Sequence, residues 1–167
     1  IDLPGMAREL DVKRILYKDE SGRFGLKSFK ALGGAYAVSR LLKRIVSEEL
    51  GRDVTATDIA ERRFEEIVAG ITVTCATDGN HGRSVAWGAR TFGCRCVIFV
   101  HSRVSDARAK AISDLGARVE RTSGNYDDAV RVSFEQANRH GWHLVSDTSF
   151  PGYTTIPRDV MQGHSVI

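Results

Sequence analysis

The second half of the chain alternates between short apolar runs and segments with helical periodicity. Four runs rich in apolar and β-branched residues predict strands at 71–75, 96–100, 117–121 and 142–146. Apolar residues three or four positions apart predict a helix after each of the first three strands, and a last helix over 156–163. Strands that alternate with helices pair in parallel, so the pattern predicts an α/β fold with helices on both faces of parallel sheets.

The first 70 residues carry a different pattern. Residues 14–18 predict a short strand. A long amphipathic helix is predicted over 30–50, because apolar residues recur on one face at Val38, Leu41, Leu42, Ile45 and Val46. A second helix, with Thr57 as its cap, is predicted over 55–69. This second helix is charged and lacks candidate catalytic groups, so we interpret it as a packing or surface element.

Composition excludes several classes of partner. The chain has 167 residues, of which 42% are hydrophobic and 27% are charged, as in an ordinary globular protein. The net charge of +3 comes from interspersed residues, and no apolar segment has membrane-spanning length, so we expect neither a nucleic acid nor a membrane as partner. The start of the chain does not resemble a signal peptide. Three cysteines without metal-site spacing predict reduced, mostly buried thiols in a cytoplasmic protein, and no metal site.

A lysine stands at the start of the long helix. Lys30 follows Ser28, a plausible cap, and the aromatic Phe29. The positive end of the helix dipole and partial burial beside Phe29 both disfavour the ammonium form, and Schiff-base chemistry requires a neutral amine. The alternative is an ordinary first-turn lysine that points into water.

The loop between the strand at 71–75 and the next helix carries a second group of candidates. Glycine lets the backbone approach a ligand, and a helix start offers free N–H groups to an anion such as a substrate carboxylate. Asp78 is either a proton acceptor or the cap of a turn. Asn80 either hydrogen-bonds a hydroxyl or ring oxygen of a cofactor or, like Asp78, satisfies a local N–H group in a capped turn. His81 is a ligand, an acid or a helix-start residue, and Asp147 is a turn cap or a second acid–base group. The loop matches neither the dinucleotide fingerprint nor the Walker phosphate loop.

Taken together, these motifs resemble those of the fold-type II pyridoxal-phosphate enzymes, the tryptophan-synthase β-like group. Within that group the finer resemblance is to the diaminopropionate ammonia-lyases. It rests on RFGLKSFK at 23–30, ATDGNHGR at 76–83, SDT at 146–148, and the residues IP and VMQG at 156–157 and 160–163. The resemblance covers essentially the whole chain. Threonine and serine dehydratases usually carry a serine at the position of Asp78, so this aspartate favours the ammonia-lyases.

The resemblance implies a cofactor and roles for the candidate residues. The cofactor is pyridoxal 5′-phosphate, Lys30 is its Schiff-base lysine, Phe29 packs near its ring, and Asn80 contacts its 3′-oxygen. The loop from Thr77 through Gly79 to His81 holds the substrate carboxylate.

Asp78 and Asp147, with the lysine, transfer protons for the two substrate enantiomers. The implied reaction is elimination from 2,3-diaminopropionate to pyruvate and ammonia. The alternatives are a threonine or serine dehydratase of the same fold, or a non-catalytic ligand-binding relative.

The resemblance also implies a domain organisation. Residues 1–70 would belong to the larger cofactor domain, 71–150 would form a smaller α/β domain, and 151–167 would begin the return to the larger one. The family's glycine-rich phosphate loop has no counterpart in this sequence, so we expect the chain to be about the first half of a longer enzyme and to be weakly active or inactive alone. A homodimer acting on a small amino acid is the family expectation.

Overall fold

A four-stranded parallel sheet forms the centre of the molecule. The computed structural model describes residues 1–167. The strands are β1 (Thr72–Ala76), β2 (Arg95–Val100), β3 (Arg118–Arg121) and β4 (His143–Leu144), and their order in the sheet is β3-β2-β1-β4. The strand β1 lies between β2 and β4, with Thr74 opposite both Val97 and Leu144. Its five residues are all buried, because both faces of this central strand are covered.

Eight α-helices surround the sheet or extend from it. They are α1 (Pro4–Glu9), α2 (Lys30–Leu50), α3 (Ala56–Ala60), α4 (Glu65–Gly70), α5 (Asn80–Phe92), α6 (Asp106–Ser113), α7 (Tyr126–His140) and α8 (Thr155–His164). A short 3₁₀ helix spans Arg23–Gly25.

Apolar side chains cover the sheet on two sides. On one face, sheet residues such as Val73 and Ile98 join the main core with α5 and α6, represented by Val85 and Ile112. On the other face, a smaller cluster joins the sheet residues Ala76, Val97 and Phe99 to Ala129 of α7. The predicted α/β class, with helices on both faces of a parallel sheet, is confirmed.

The structure corrects four local predictions. Residues 14–18 form no strand, because only an isolated bridge joins Leu16 to Asp2 and the Leu16 side chain is exposed. The single helix predicted over 55–69 is two helices, α3 and α4. The chain breaks at 61–64, where Arg62 has a positive φ of 55°.

The cap of α3 is Thr55 rather than Thr57. Thr55 forms a capping box with Asp58, in which each side chain accepts a hydrogen bond from the other residue's backbone N–H.

The last strand is also shorter than predicted, two residues instead of the five at 142–146. The strand β4 is at the edge of the sheet, and the chain turns away after Val145, whose N–H donates to Thr74 O at 2.7 Å. Beyond this point the hydroxyl of Tyr153, rather than a neighbouring strand, bonds the backbone. It donates to Leu144 O and accepts from the N–H of Ser146. This turn directs residue 147 towards the carboxyl end of β1.

The helix α2 packs closely against α5 and α8 through small residues. A Cβ atom on Gly88 of α5 would lie 2.8 Å from the Cα of Ala35 of α2. The hydroxyl of Ser84, also on α5, accepts from the N–H of Ala35 at 3.0 Å and donates to Ala31 O at 3.2 Å. This contact holds the start of α2, and therefore Lys30, against the start of α5.

Two further predictions concerned the state of the cysteines and the length of the apolar segments. Cys75, Cys94 and Cys96 are free and buried, and burial raises the pKa of all three thiols. They are therefore inert core side chains. None of the helices is both long enough and apolar enough to span a bilayer.

Candidate active site

A polar cleft of about 330 Å³ opens at the carboxyl end of the sheet. In open parallel sheets this edge is where ligands bind. The cleft is lined by Lys30, Ala76, Thr77, Asp78, Gly79, Asn80, His81, Arg108, Tyr126 and Asp147. Seven of the eight residues named from the sequence therefore line one cleft. Phe29 does not line it: its half-exposed ring packs edge-on against His164 at a centroid distance of 5.2 Å, and its role stays a prediction.

The centre of the cleft is an ion pair between Lys30 and Asp147. The Nζ atom of Lys30 lies 2.6 Å from Oδ2 of Asp147, and the two side chains are 31% and 21% exposed. The N-cap of α2 is Phe29 and makes no side-chain capping hydrogen bond, so the prediction of Ser28 as the cap was wrong; its hydroxyl accepts from the backbone N–H of Lys30 at 3.2 Å from one position further out. Burial raises the pKa of Asp147, but the neighbouring His81 and Lys30 outweigh burial and hold that pKa below its ordinary value.

His81 lies behind Asp147, almost fully buried. Its Nε2 atom is 2.8 Å from the carbonyl oxygen of Val145, which can only accept, so Nε2 carries the hydrogen. The Nδ1 atom faces Oδ2 of Asp147 at 3.7 Å and has no hydrogen-bond partner. Burial lowers the pKa of His81 more than Asp147 raises it, so the ring is neutral at neutral pH.

The loop between β1 and α5 is organised by Thr77. Its hydroxyl accepts from the N–H groups of Gly79 and Gly82, at 2.9 Å and 3.0 Å. Gly79 has a φ of 152°, a conformation that residues with a side chain rarely adopt. The N–H groups of Asn80 and His81 have no acceptor within the chain. The start of α5 can therefore donate hydrogen bonds to an anion, as the sequence predicts.

Asp78 lies at the outer side of the same loop, and its side chain is 66% exposed. Its Oδ1 atom accepts from Nε2 of His101 at 2.8 Å, rather than capping the local turn. His101 follows the last residue of β2, so neighbouring strand ends bring the two side chains together. Sequence reasoning did not single out His101.

Two other lining residues were also missed. Arg108 lies in the first turn of α6, and its guanidinium forms no hydrogen bond or ion pair with the chain. Tyr126 is the first residue of α7; burial and the nearby Asp147 raise the pKa of its hydroxyl. Both residues lie in the first turns of helices, α6 and α7, that follow the strands β2 and β3. This topology places their helix starts at the ligand-binding edge, which is the signal that could have found them.

A comparison with known protein families agrees with the geometry of this cleft. Residues 1–165 match the family model described as pyridoxal-phosphate dependent enzyme. The chain belongs to this family.

The similar proteins narrow the relationship within this pyridoxal-phosphate family. The chain is 43% identical over 165 residues to diaminopropionate ammonia-lyase of Escherichia coli strain K12, which covers 99% of this chain and 40% of the relative. It is 39% identical over 169 residues to the Salmonella typhimurium strain LT2 enzyme of the same name, with 99% and 41% covered. The chain thus spans about 40% of the length of these curated relatives. The predicted resemblance to this enzyme group is confirmed.

A solved structure supports the same relationship. The E. coli diaminopropionate ammonia-lyase in complex with an aminoacrylate-PLP azomethine reaction intermediate superposes with a TM-score of 0.81. The two chains are 42% identical, and the match covers 98% of this chain and 39% of the other.

The residues of the cleft fit the cofactor of this pyridoxal-phosphate family. Pyridoxal 5′-phosphate carries an aldehyde, polar ring substituents and a phosphate. The Lys30 amine reaches the cleft, Asn80 is at its wall, and Arg108 supplies a cation without an ion-pair partner in the chain. An amine, an amide, N–H donors and a free guanidinium are the donor set that such a molecule needs.

Proposed function

We propose that the protein carrying this chain eliminates the β-amino group of 2,3-diaminopropionate, using pyridoxal 5′-phosphate bound at Lys30. With water, this substrate gives pyruvate and two molecules of ammonia. The observation that carries the proposal is the pairing of Lys30 with Asp147, in a cleft that also holds Asp78 and the start of α5. The identity of 43% to E. coli diaminopropionate ammonia-lyase supports the choice of substrate.

Each residue of the chain has a proposed task. The bound cofactor withdraws electrons and so makes the substrate α-carbon acidic. Lys30 holds the cofactor, and its amine shares protons with Asp147 at a separation of 2.6 Å. The free N–H groups of Asn80 and His81 hold the substrate carboxylate at the start of α5. Asp78 and Asp147, which approach the cleft from different strand ends, accept the α-proton of one or the other enantiomer.

The experiment has two parts. Steady-state assays of the complete protein on diaminopropionate, serine and threonine should show the largest kcat/KM for diaminopropionate. A clear preference for threonine or serine would assign the protein to the dehydratases of the same fold. Borohydride reduction of the cofactor-bound protein, followed by peptide mapping, should place the label on Lys30. Unlabelled Lys30 would instead identify a non-catalytic ligand-binding relative.

We also propose the organisation and location of the complete protein. Residues 71–150 form the smaller α/β domain, while 1–70 and 151–167 belong to the larger cofactor domain. Three free, buried thiols are typical of a reducing compartment, so we propose the cytoplasm. A homodimer is the expectation from the family, and light scattering of the complete protein measures it directly.

A further inference from the structure

Each of the two aspartates of the cleft has a histidine neighbour, and the two histidines differ in whether an N–H or a lone pair faces the aspartate. Asp78 lies 2.8 Å from Nε2 of His101, and Asp147 lies 3.7 Å from Nδ1 of His81. A neutral imidazole presents a hydrogen on one nitrogen and a lone pair on the other. The partners of the remaining ring nitrogens therefore decide what each aspartate meets.

For His101, the second nitrogen is fixed by the backbone. The N–H of Arg103 donates to Nδ1 of His101 at 3.2 Å. A backbone N–H can only donate, so Nδ1 holds the lone pair and Nε2 carries the hydrogen. His101 therefore donates an N–H to Oδ1 of Asp78.

For His81, the second nitrogen meets the opposite kind of partner. The carbonyl oxygen of Val145 can only accept, so Nε2 carries the hydrogen there too. The atom that faces Asp147 is then the lone pair on Nδ1. Asp147 takes its hydrogen bond from Lys30 instead. Only Asp78 has a histidine N–H behind it.

The turn that carries His101 is tied to the sheet. Arg121 of β3 donates from Nη1 to the carbonyl oxygen of Val104 at 2.6 Å and to that of Ser102 at 3.2 Å. Its Nη2 atom donates to Asp106 at 2.8 Å. The His101 side chain is only 15% exposed, although Asp78 is largely in solvent. A fixed donor thus holds a side chain that would otherwise rotate freely.

We propose that His101 is the positioning residue of Asp78: its Nε2–H fixes Oδ1 and leaves Oδ2 to take the α-proton of one substrate enantiomer. In that step the hydrogen leaves the α-carbon as a proton and binds Oδ2, while the electron pair of the C–H bond stays with the substrate. This inference rests on the proposed function, because it assigns a partner to one of the two proposed bases. His101 itself does not touch the substrate.

The kinetic test uses the complete, cofactor-bound protein and both enantiomers of diaminopropionate. His101→Leu removes the donor, and kcat should fall about tenfold for the enantiomer that Asp78→Asn impairs most, while KM changes less than about twofold. His101→Gln keeps a side-chain N–H and should retain at least about a third of kcat. The double variant Asp78→Asn/His101→Leu should be no slower than Asp78→Asn alone, since the two residues act together.

A matched control and a spectroscopic measurement complete the design. His140→Gln changes an exposed histidine that bonds Gln136 away from the cleft, and should leave both enantiomers unaffected. The ¹⁵N NMR spectrum of histidine-labelled protein should show, for His101, an unprotonated Nδ1 and a protonated Nε2. This readout needs no turnover, so it still decides the question if His101→Leu fails to fold.

Three results would overturn the inference: equal losses for both enantiomers in His101→Leu, an unaffected kcat, or a hydrogen on Nδ1 of His101. These are distinct from failure of the proposed function, which shows as an unlabelled Lys30 or a preference for threonine or serine. Labelled Lys30 with an unchanged His101→Leu enzyme would reject the positioning role alone.

Discussion

At the scale of single residues, the cleft is governed by an ion pair between positions 117 residues apart. The local surroundings of Lys30 are a helix start and the aromatic residue Phe29. Asp147 places a carboxylate 2.6 Å from the Nζ atom of Lys30. Because both side chains are less than one-third exposed, solvent screens this pair less than a surface pair.

The lowered pKa of Asp147 predicts how the pair contributes to stability. An aspartate whose pKa falls on folding stabilises the protein above its ordinary value of 3.8, and the contribution is lost as the pH falls through the lower folded value. In the cofactor-free protein, Asp147→Asn should therefore lower the free energy of unfolding by about 1–2 kcal/mol between about pH 5 and 8. The difference from the wild type should shrink below about pH 4.

Thermal unfolding across this pH range measures the effect. Asp53→Asn is the matched control, since Asp53 pairs with Lys43 at 3.0 Å but its side chain is 81% exposed. That substitution should leave Tm unchanged at every pH. A pH-independent loss in Asp147→Asn would mean that packing, and not the charge, accounts for its effect.

The sequence predicted those cleft residues that lie next to one another in the chain, and it missed those that come from separate elements. The loop 77–82 combines glycines, an amide and a helix start in consecutive positions, and the structure places it at the cleft. Arg108, Tyr126 and His101 carry no such local signal. They reach the cleft only because parallel strands end at a common edge, which requires knowledge of the strand order.

At the scale of elements, the contact between α2 and α5 sets the position of Lys30 relative to the loop. Gly88→Ala would place a methyl group 2.8 Å from the Cα of Ala35 and 3.1 Å from its Cβ. Backbone atoms cannot rotate away, so the helices must separate. We expect a loss of about 1–3 kcal/mol in the free energy of unfolding, and a lower Tm in thermal unfolding.

The control makes the same substitution where there is room. A Cβ on Gly70, in the last turn of α4, would meet nothing within 4 Å. Gly70→Ala should therefore be neutral or stabilise the protein by up to about 1 kcal/mol, because alanine restricts the unfolded chain. Equal effects of the two substitutions would contradict the close-packing argument.

The boundaries of helices and strands were harder to predict than whether a segment forms a helix or a strand. The strand and helix periods placed α2, β1, β2 and α7 within a few residues, since each buries a continuous apolar face. The break between α3 and α4 depends on the backbone conformation of Arg62, which donates to the carbonyl oxygens of Arg90 and Thr91 at the end of α5. Such a long-range contact leaves no periodic signal in the sequence.

At the scale of the whole molecule, the sheet is less well covered on one side. An apolar cavity of about 460 Å³ lies between α7 and the segment after β4, and Val130, Phe134 and Phe150 line it while remaining more than one-third exposed. The chain spans only about 40% of its curated relatives. The fold class was predictable because one repeated pattern of strand and helix determines it; the extent of exposed apolar surface was not, since that depends on how the elements pack.

The cations that line the cleft predict how the 167-residue polypeptide binds the cofactor on its own. Of the cleft cations, Lys30 is paired with Asp147, so Arg108 is the one lining cation left to balance the cofactor's phosphate. We therefore expect pyridoxal 5′-phosphate to bind at least about tenfold more weakly than to E. coli diaminopropionate ammonia-lyase, with diaminopropionate turnover near background. Absorbance titration measures the binding, and Lys30→Ala distinguishes covalent from adventitious uptake. Equal affinity for the two proteins would show that the residues of this cleft alone suffice to hold the cofactor.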